Sequence, residues 1–497
     1  MSLSFAEWER ELEAFSSGRP GGSSLEQQFL ASYDLPRDRA RIGLRYRELT
    51  ARFGSRYKSR ELFAARAPGR INLIGEHTDY NGLPVLPMAI NRDIAALCAP
   101  RPDRRVILSS TEAAFPERSF ELEEAISPYA KGDWGNYCKA AVQGLLEHYK
   151  SQGRPAESFR GFQAAVDGDI PIAAGMSSSS ALVVLSSLLF LQANSLEMDK
   201  MRLADLLAKA EHYVGTQGGG MDQAVSLMGR RGQALKIDFF PLRLQAVRLP
   251  EGITFVATNS LIEAAKSASA LDQYNRRPIE CRLAAAVLKK ELSRRLKRDL
   301  PIRLLGDLNE NRLSLAEEEI RRLADSALHE APYSLREIAA LLEQSTEQTA
   351  KTYCLRRDGS IFPQPADGFK LWQRYQHVST EGRRVERSLL ALREGDIAGF
   401  GKLMNESHAS CRDLYEISCP ELDTLVELSR EAGALGSRLT GAGFGGCAIS
   451  LLEDGQVEAF TGRILQSYYR DFLKSGAGET SALVFPCQSV NGAEVLA

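Results

Sequence analysis

At 497 residues, with 25% charged and 44% hydrophobic side chains, the chain has the length and composition of a soluble globular protein with two or more domains. A net charge of -2 excludes a broad electrostatic pull towards nucleic acid or an anionic membrane. Eight cysteines without a CxxC pair argue against a zinc knuckle or redox dithiol and suit reduced thiols in the cytoplasm.

Met1 to Ser17 carries acidic residues and no compact apolar core, so it does not predict a secretory signal. FAEWERELEAF predicts an amphipathic helix, and SSGRPGGSS (16–24) a flexible linker. Residues 1–38 therefore read as an appendage without chemistry. Arg39 to Phe53 predicts a helix leading into RAPGRINLIGEHTDYNGLPVLPMAI (66–90), the stretch around which the rest is organised. There RINLIG and PVLPMAI predict short buried strands. GEHTDYNG between them is too polar and Gly-rich for core and predicts a loop. Arg70, Glu76, His77 and Asp79 place a cation, two carboxylates and an imidazole within ten residues, a donor and acceptor set for a ligand covered in hydroxyls. The plain alternative is a turn with an ion pair.

Arg105 to Ser110 and Ser119 to Leu122 predict strands, and DWGNYCKAAVQGLLEHY (133–149) a helix. Trp134 and Tyr137, three apart near its start, suit either the core or the stacking of a flat base. FQAAVDGDIP then predicts a strand ending in a Gly- and Ser-rich turn, with a helix beginning inside Ser177, Ser178, Ser179 and Ser180. Behind Gly175, that arrangement aims free amides and a helix dipole at one point, a ready anion site. No G-x4-G-K-[ST] occurs, so it is not a Walker loop. The apolar run Ala181 to Ala193 is too short to span a bilayer.

Arg202 to Val214 predicts a helix in which Glu211 falls about 40° beyond the apolar Leu207, at the rim of the buried face. GTQGGGMDQ (215–223) follows: glycines around Gly219 permit close approach of a ligand, and Asp222 projects from a turn or caps a helix. Gln233 to Leu249 predicts strands, with a domain change nearby. A strand, a polar turn and a helix carrying Tyr274 come next. Lys289 to Arg298, six basic residues and one acid, predicts a solvated helix face. Helical, charged sequence continues to about Gln364, with further helices over Gly368 to Gly395 and Gly399 to Arg412. GSRLTGAGFGGCAISLL (436–452) formally contains G-x-G-x-x-G, but a helix precedes it and a strand follows, the reverse of a dinucleotide-binding unit.

GRINLIGEHTDY resembles the galactokinase signature. GMSSSS resembles the PxxxGLSSSA phosphate loop of the GHMP kinases, with Met176 for Leu and Ser180 for Ala. GGMDQ and GAGFGG are similar to two further family motifs, Ala442 replacing a glycine in the second. The likeness runs from about residue 40 to 490. GTQGGGMDQ, FFPLRLQAVRLP, ECRLAA and APYSLREIAALL look closest to the subgroup of N-acetylgalactosamine kinase and plant-type galactokinase, although Thr78 stands where that subgroup often has Ile, which bears on the sugar's 2-substituent.

The resemblance implies an α+β kinase with the active site in an interdomain cleft, divided into 1–38, 39–245 and 246–497. It implies ATP-dependent phosphorylation of the anomeric hydroxyl of galactose, with Asp222 and Arg70 catalytic. Glu76, His77, Asp79, Gly219 and Tyr274 would bind the sugar. Trp134 and Tyr137 would flank adenine, Gly175 and the four serines the phosphates, and Ser179 with Glu211 would hold Mg²⁺. An N-acetylgalactosamine or other sugar 1-kinase is the nearest alternative, and a sugar- and ATP-binding regulatory sensor the non-enzymatic one. The expected partners are a small sugar and ATP, with no nucleic acid or membrane, in a cytoplasmic monomer or weak oligomer.

Overall fold

The structure is a computed structural model that describes residues 3–17, 24–33, 35–57, 61–172, 174–215, 219–263, 268–356, 359–474 and 480–496. Most of the predicted linker, residues 18–23, lies outside the described residues. The strands are β1 (Phe63–Asn72), β2 (Pro87–Pro100), β3 (Arg105–Ser110), β4 (Arg118–Glu121), β5 (Phe162–Gly168) and β6 (Gln233–Asp238). They continue with β7 (Arg243–Arg248), β8 (Ile253–Asn259), β9 (Gly436–Leu439), β10 (Cys447–Glu453), β11 (Val484–Cys487) and β12 (Glu494–Leu496). A six-stranded sheet has the order β12-β1-β2-β5-β3-β4, a four-stranded sheet the order β11-β8-β10-β9, and β6 pairs with β7. With helices over both sheets, the fold is α+β, as expected.

Period-two alternation decides what each face of the large sheet meets. Ala65, Ala67, Ala96, Cys98, Ala164 and Val166 point into the main core, where the helix Ser178–Ala193 packs. Ala64, Ala95, Leu97, Ala99 and Ala165 point the other way, into a cluster with Trp8, Phe15, Phe29 and Tyr46.

That second cluster corrects the reading of residues 1–38 as an appendage. The predicted first helix, Phe5–Ser17, packs on the helix Leu35–Arg56, and Trp8 Nε1 donates to Thr50 Oγ1 at 2.8 Å. Arg66 of β1 lies over the Tyr33 ring at 4.9 Å and pairs with Asp93, Nε to Oδ2, at 2.6 Å. The N-terminal helices roof an apolar sheet face that would otherwise stand in water. The boundary at 38 therefore falls inside a helix.

The expected cut at 245/246 is also crossed. β12 pairs with β1, Ala64 opposite Leu496 and Arg66 opposite Glu494, so the end of the chain completes the first sheet. The helix Leu371–Glu394 runs between two cores, with Tyr375 and Val378 in the C-terminal one and Val385 and Leu389 in the main one. The basic stretch at 289–298 has local partners, among them Lys290 with Glu343 at 2.6 Å and Arg294 with Glu291 at 2.9 Å. Among the described residues no helix is long and apolar enough to cross a membrane.

Candidate active site

The turn from Gly75 to Gly82 joins β1 to β2 through a 3-10 turn at Asp79–Asn81. It is a loop, as expected, but its polar residues are core: Glu76, His77, Thr78, Asp79 and Asn81 are all buried. Polarity did not keep the turn at the surface, because its groups are matched partner by partner. Asn81 Nδ2 donates to His77 O at 2.9 Å, and Thr78 Oγ1 shares its proton between Gly75 O at 2.9 Å and Pro84 O at 2.8 Å. Thr78 thus closes the turn on itself.

Glu76 Oε1 accepts from Gly441 N at 3.1 Å, and Oε2 faces Arg438 Nη2 at 2.8 Å. Burial raises the Glu76 pKa, against the pull of Arg438. His77 Nε2 lies 3.1 Å from Ala442 O, and a carbonyl only accepts, so Nε2 carries the proton and Nδ1 accepts from Tyr80 OH at 2.8 Å. Burial pushes His77 down to about 3, so the ring is neutral. Asp79 Oδ2 accepts from Gly219 N at 2.9 Å, and a Cβ on Gly219 would sit 2.6 Å from that oxygen. Only glycine allows this approach. Burial carries Asp79 up to about 6, opposed by the amides of Tyr80 and Gly219 and reinforced by the Asp222 charge.

The second motif opens the helix Ser178–Ala193, with Ser177 as a left-handed N-cap whose own side chain does not cap the amides. Orphan N–H groups and the positive dipole end are thereby left for a ligand. Ser178 and Ser179 are partly exposed, and their hydroxyls bond to none of the described residues. The third motif lies directly behind: Cys447 N donates to Ala174 O at 3.1 Å, and a Cβ on Gly441 would collide with the Gly175 carbonyl. Its glycines let β9 and β10 turn against Ala174 and Gly175 backbone to backbone.

Asp222 lies in the first turn of the helix Met221–Met228, whose N-cap is Gly220, so it does not cap its own helix. Arg70 Nε donates to Asp222 Oδ1 at 2.8 Å, and Ser177 Oγ donates to Oδ2. Arg70 also reaches the Gly175 carbonyl. The Asp222 side chain remains 26% exposed while that of Arg70 is only 6% exposed, so the carboxylate is the accessible member of the pair.

Glu211 is where helical-wheel geometry fails. The helix Lys200–Ala210 ends one residue earlier, and Glu211–Val214 continues as a 3-10 turn that buries the carboxylate instead of leaving it at the rim. Burial, opposed by a hydrogen bond from Ser180 and reinforced by Asp222, pushes Glu211 up to about 7. Its Oε1 is buried without a hydrogen-bond partner among the described residues. A bound cation would relieve both the orphaned oxygen and the repulsion from Asp222. Among the described residues no cluster of three or more His, Cys, Asp or Glu could hold a metal ion.

Tyr274 stands on the helix Ala268–Leu296 with its ring centroid 5.6 Å from that of His77. Burial, with Asp79 and Asp222 nearby, raises its pKa. Arg70, Asp79, Ser177, Glu211, Gly219, Asp222 and Tyr274 thus share one centre. Trp134 is the N-cap of the helix Gly135–Lys150 and Tyr137 lies in its first turn; the helix packs against the Glu211–Val214 turn. Trp134 Nε1 donates to Pro116 O at 2.9 Å, and both aromatics lean on the main core. Sequence reasoning passed over His377, Glu381 and Arg438, which surround the sugar-signature turn from behind. A signal existed, since His377 and Glu381 fall four apart on the buried stripe of their helix, where ionisable residues are rare unless paired.

Comparison with known proteins agrees with these three motifs. The galactokinase galactose-binding signature matches residues 51–100, the GHMP kinases N terminal domain residues 136–230 and the GHMP kinases C terminal residues 388–471. Galactokinase of Dictyostelium discoideum is 36% identical over 466 residues, covering 86% of this chain and 89% of that protein. Galactokinase of Roseiflexus sp. (strain RS-1) is 35% identical, covering 90% and 96%. Among solved structures, Lactococcus lactis galactokinase complexed with galactose superposes with a TM-score of 0.70 at 30% identity, over 90% of this chain and 99% of that one. Methanococcus jannaschii mevalonate kinase, at 16% identity and a TM-score of 0.52 over 86% and 98%, shares the fold.

Proposed function

The chain belongs to the galactokinase family of the GHMP kinases, and from that premise we propose that it transfers the γ-phosphoryl group of ATP to the anomeric 1-hydroxyl of galactose, giving α-galactose 1-phosphate and ADP. The observation that carries the reading is the junction at Asp222: one oxygen is held by Arg70, the other by Ser177 of the phosphate loop.

Phosphoryl transfer asks a protein mainly for alignment and charge stabilisation. Asp222, the more exposed member of its pair with Arg70, takes the proton of the 1-hydroxyl as that oxygen attacks, and Arg70 offsets the charge that develops. Asp79, ionised above about 6, accepts from sugar hydroxyls, with Gly219 and Tyr274 beside it. Glu76 and the neutral His77 complete the sugar pocket from positions anchored to the third motif. Gly175 and the amides and hydroxyls of Ser177, Ser178, Ser179 and Ser180 hold the β- and γ-phosphates, and Trp134 and Tyr137 flank the base. Glu211 and Ser179 would hold Mg²⁺, which when bound neutralises charge on the β- and γ-phosphates and orients them.

ADP release measured with galactose, N-acetylgalactosamine, arabinose and no sugar tests the reading. Galactose-dependent ADP release is the expected result. A preference for the acetamido sugar would make the chain an N-acetylgalactosamine 1-kinase. Binding of both ligands without ADP release would make it a sensor.

A further inference from the structure

We infer that Glu381 is a positioning residue for the sugar turn, gripping the Gly75–Glu76 peptide from behind so that Glu76, His77 and Asp79 meet galactose in a fixed orientation. The inference rests on reading that turn as the sugar site. Glu381 is fully enclosed on the helix Leu371–Glu394. Its Oε1 accepts from Gly75 N at 2.9 Å, from Glu76 N at 3.3 Å and from the Ser407 hydroxyl, and its Oε2 accepts from Arg384 Nε at 2.7 Å. One turn earlier on the same helix, His377 Nε2 donates to Glu76 O at 3.0 Å and Nδ1 accepts from Ser410 Oγ at 2.9 Å. A single helix face therefore holds both amides and the carbonyl of one short backbone segment.

The chemistry of Glu381 is costly for a mere packing role. A buried carboxylate loses its hydration, and an apolar residue of similar volume fills a helix interface as well or better. Burial alone would raise its pKa, but the Arg384 and Arg438 guanidiniums and the Ser407 hydrogen bond outweigh it and hold the carboxyl at about 2. It is an anion throughout the working range. Two of its donors are backbone amides of a turn more than 300 residues away, 306 for Gly75 and 305 for Glu76. Without an acceptor there, those amides would be stranded in the core, and the peptide would rotate to find one. Rotation would carry the Glu76 and His77 side chains with it, off their contacts with Gly441 and Ala442. Displacements on the scale of an ångström cost up to about 10²-fold in such sites.

The test compares Glu381→Gln, Glu381→Leu and Asp79→Ala by calorimetric titration with galactose and with a non-hydrolysable ATP analogue, each sample scored for folded protein by thermal melting. Glu381→Gln keeps the shape and one acceptor. It should weaken galactose by about 10-fold and the nucleotide by under about 2-fold, and Glu381→Leu should weaken galactose by about 10²-fold. If folded Glu381→Gln binds galactose as tightly as the wild type, the positioning role is wrong, whatever its melting temperature. Equal weakening of both ligands overturns it too, because that marks a general packing defect. If Glu381→Leu does not fold, Glu381→Gln decides alone. Normal galactose binding by Asp79→Ala would instead sink the sugar-site reading itself. Loss of galactose in Asp79→Ala alone leaves that reading standing and removes only the inference about Glu381.

Discussion

In the turn Gly75–Gly82 nearly every polar group already has a protein partner, whereas in the loop leading to Ser178 the helix end is uncapped and two serine hydroxyls stay uncommitted among the described residues. On the proposed function, the contrast follows from what each ligand would bring. A polyphosphate carries enough charge to recruit amides, a helix dipole and rotatable hydroxyls as it arrives. A neutral sugar offers only hydroxyls whose directions must be matched, so its acceptors have to be held in advance by groups the sugar never touches. Asp222 stands where the two designs meet, bonded to Arg70 from one side and to Ser177 from the other.

Removing that junction should have the largest effect. Asp222→Asn keeps the fold and ATP binding while kcat falls by about 10²–10⁴, as for loss of a positioned acid–base group. Turnover near that of the wild type would remove Asp222 from the reaction. Breaking only the pre-arranged side comes next. Asp79→Ala should weaken galactose by about 10²-fold and leave nucleotide affinity within a few-fold, because a buried hydrogen-bonding site is left half-paired. Isothermal titration with each ligand reads this directly, and parallel losses for sugar and nucleotide would contradict the division of labour.

On the phosphate side, Glu211→Gln should raise the Mg²⁺ concentration for half-maximal rate by about 10-fold. An unchanged Mg²⁺ dependence would leave Glu211 as a structural carboxylate. The smallest effect concerns pH. Glu211, ordinarily at 4.5, is held at about 7, so between those values the native state binds more protons than the unfolded chain. Its contribution to stability is therefore greatest at low pH and is lost as pH rises through about 7. The buried neutral His77 and His377 act with the opposite sign, since burial lowers both. Comparison with a variant isolates the carboxylate. In the absence of ligands, the melting temperature of Glu211→Gln relative to wild type should climb by a few degrees between pH 5 and 8. A difference that shrinks over that range would refute the raised pKa.

Much of this was legible in the chain itself. The strands flanking GEHTDYNG, the helix inside the serine run and the helix before and strand after GAGFGG follow from hydrophobic period and glycine placement within windows of ten to twenty residues. The resemblance names Arg70 and Asp222, 152 residues apart, as the catalytic residues, and the structure brings them to 2.8 Å. Where local periodicity changes, the reading slipped: a wheel drawn at constant pitch left Glu211 at the rim, and a tighter last turn buried it.

What the sequence by itself determined, then, is each element's type and the donors and acceptors it carries. Those are properties of neighbours along the chain, set by φ/ψ preference, capping and period. Only the tertiary structure decided that a polar turn is core, that the helices Phe5–Ser17 and Ser24–Ser32 roof the large sheet, and that Glu381, His377 and Arg438 converge on Glu76, the first two on its backbone and the third on its carboxylate. These are choices among partners hundreds of residues apart. A buried carboxylate announces that it needs donors, but any amide in the chain could supply them, and it is the packing of whole elements that selects which one does.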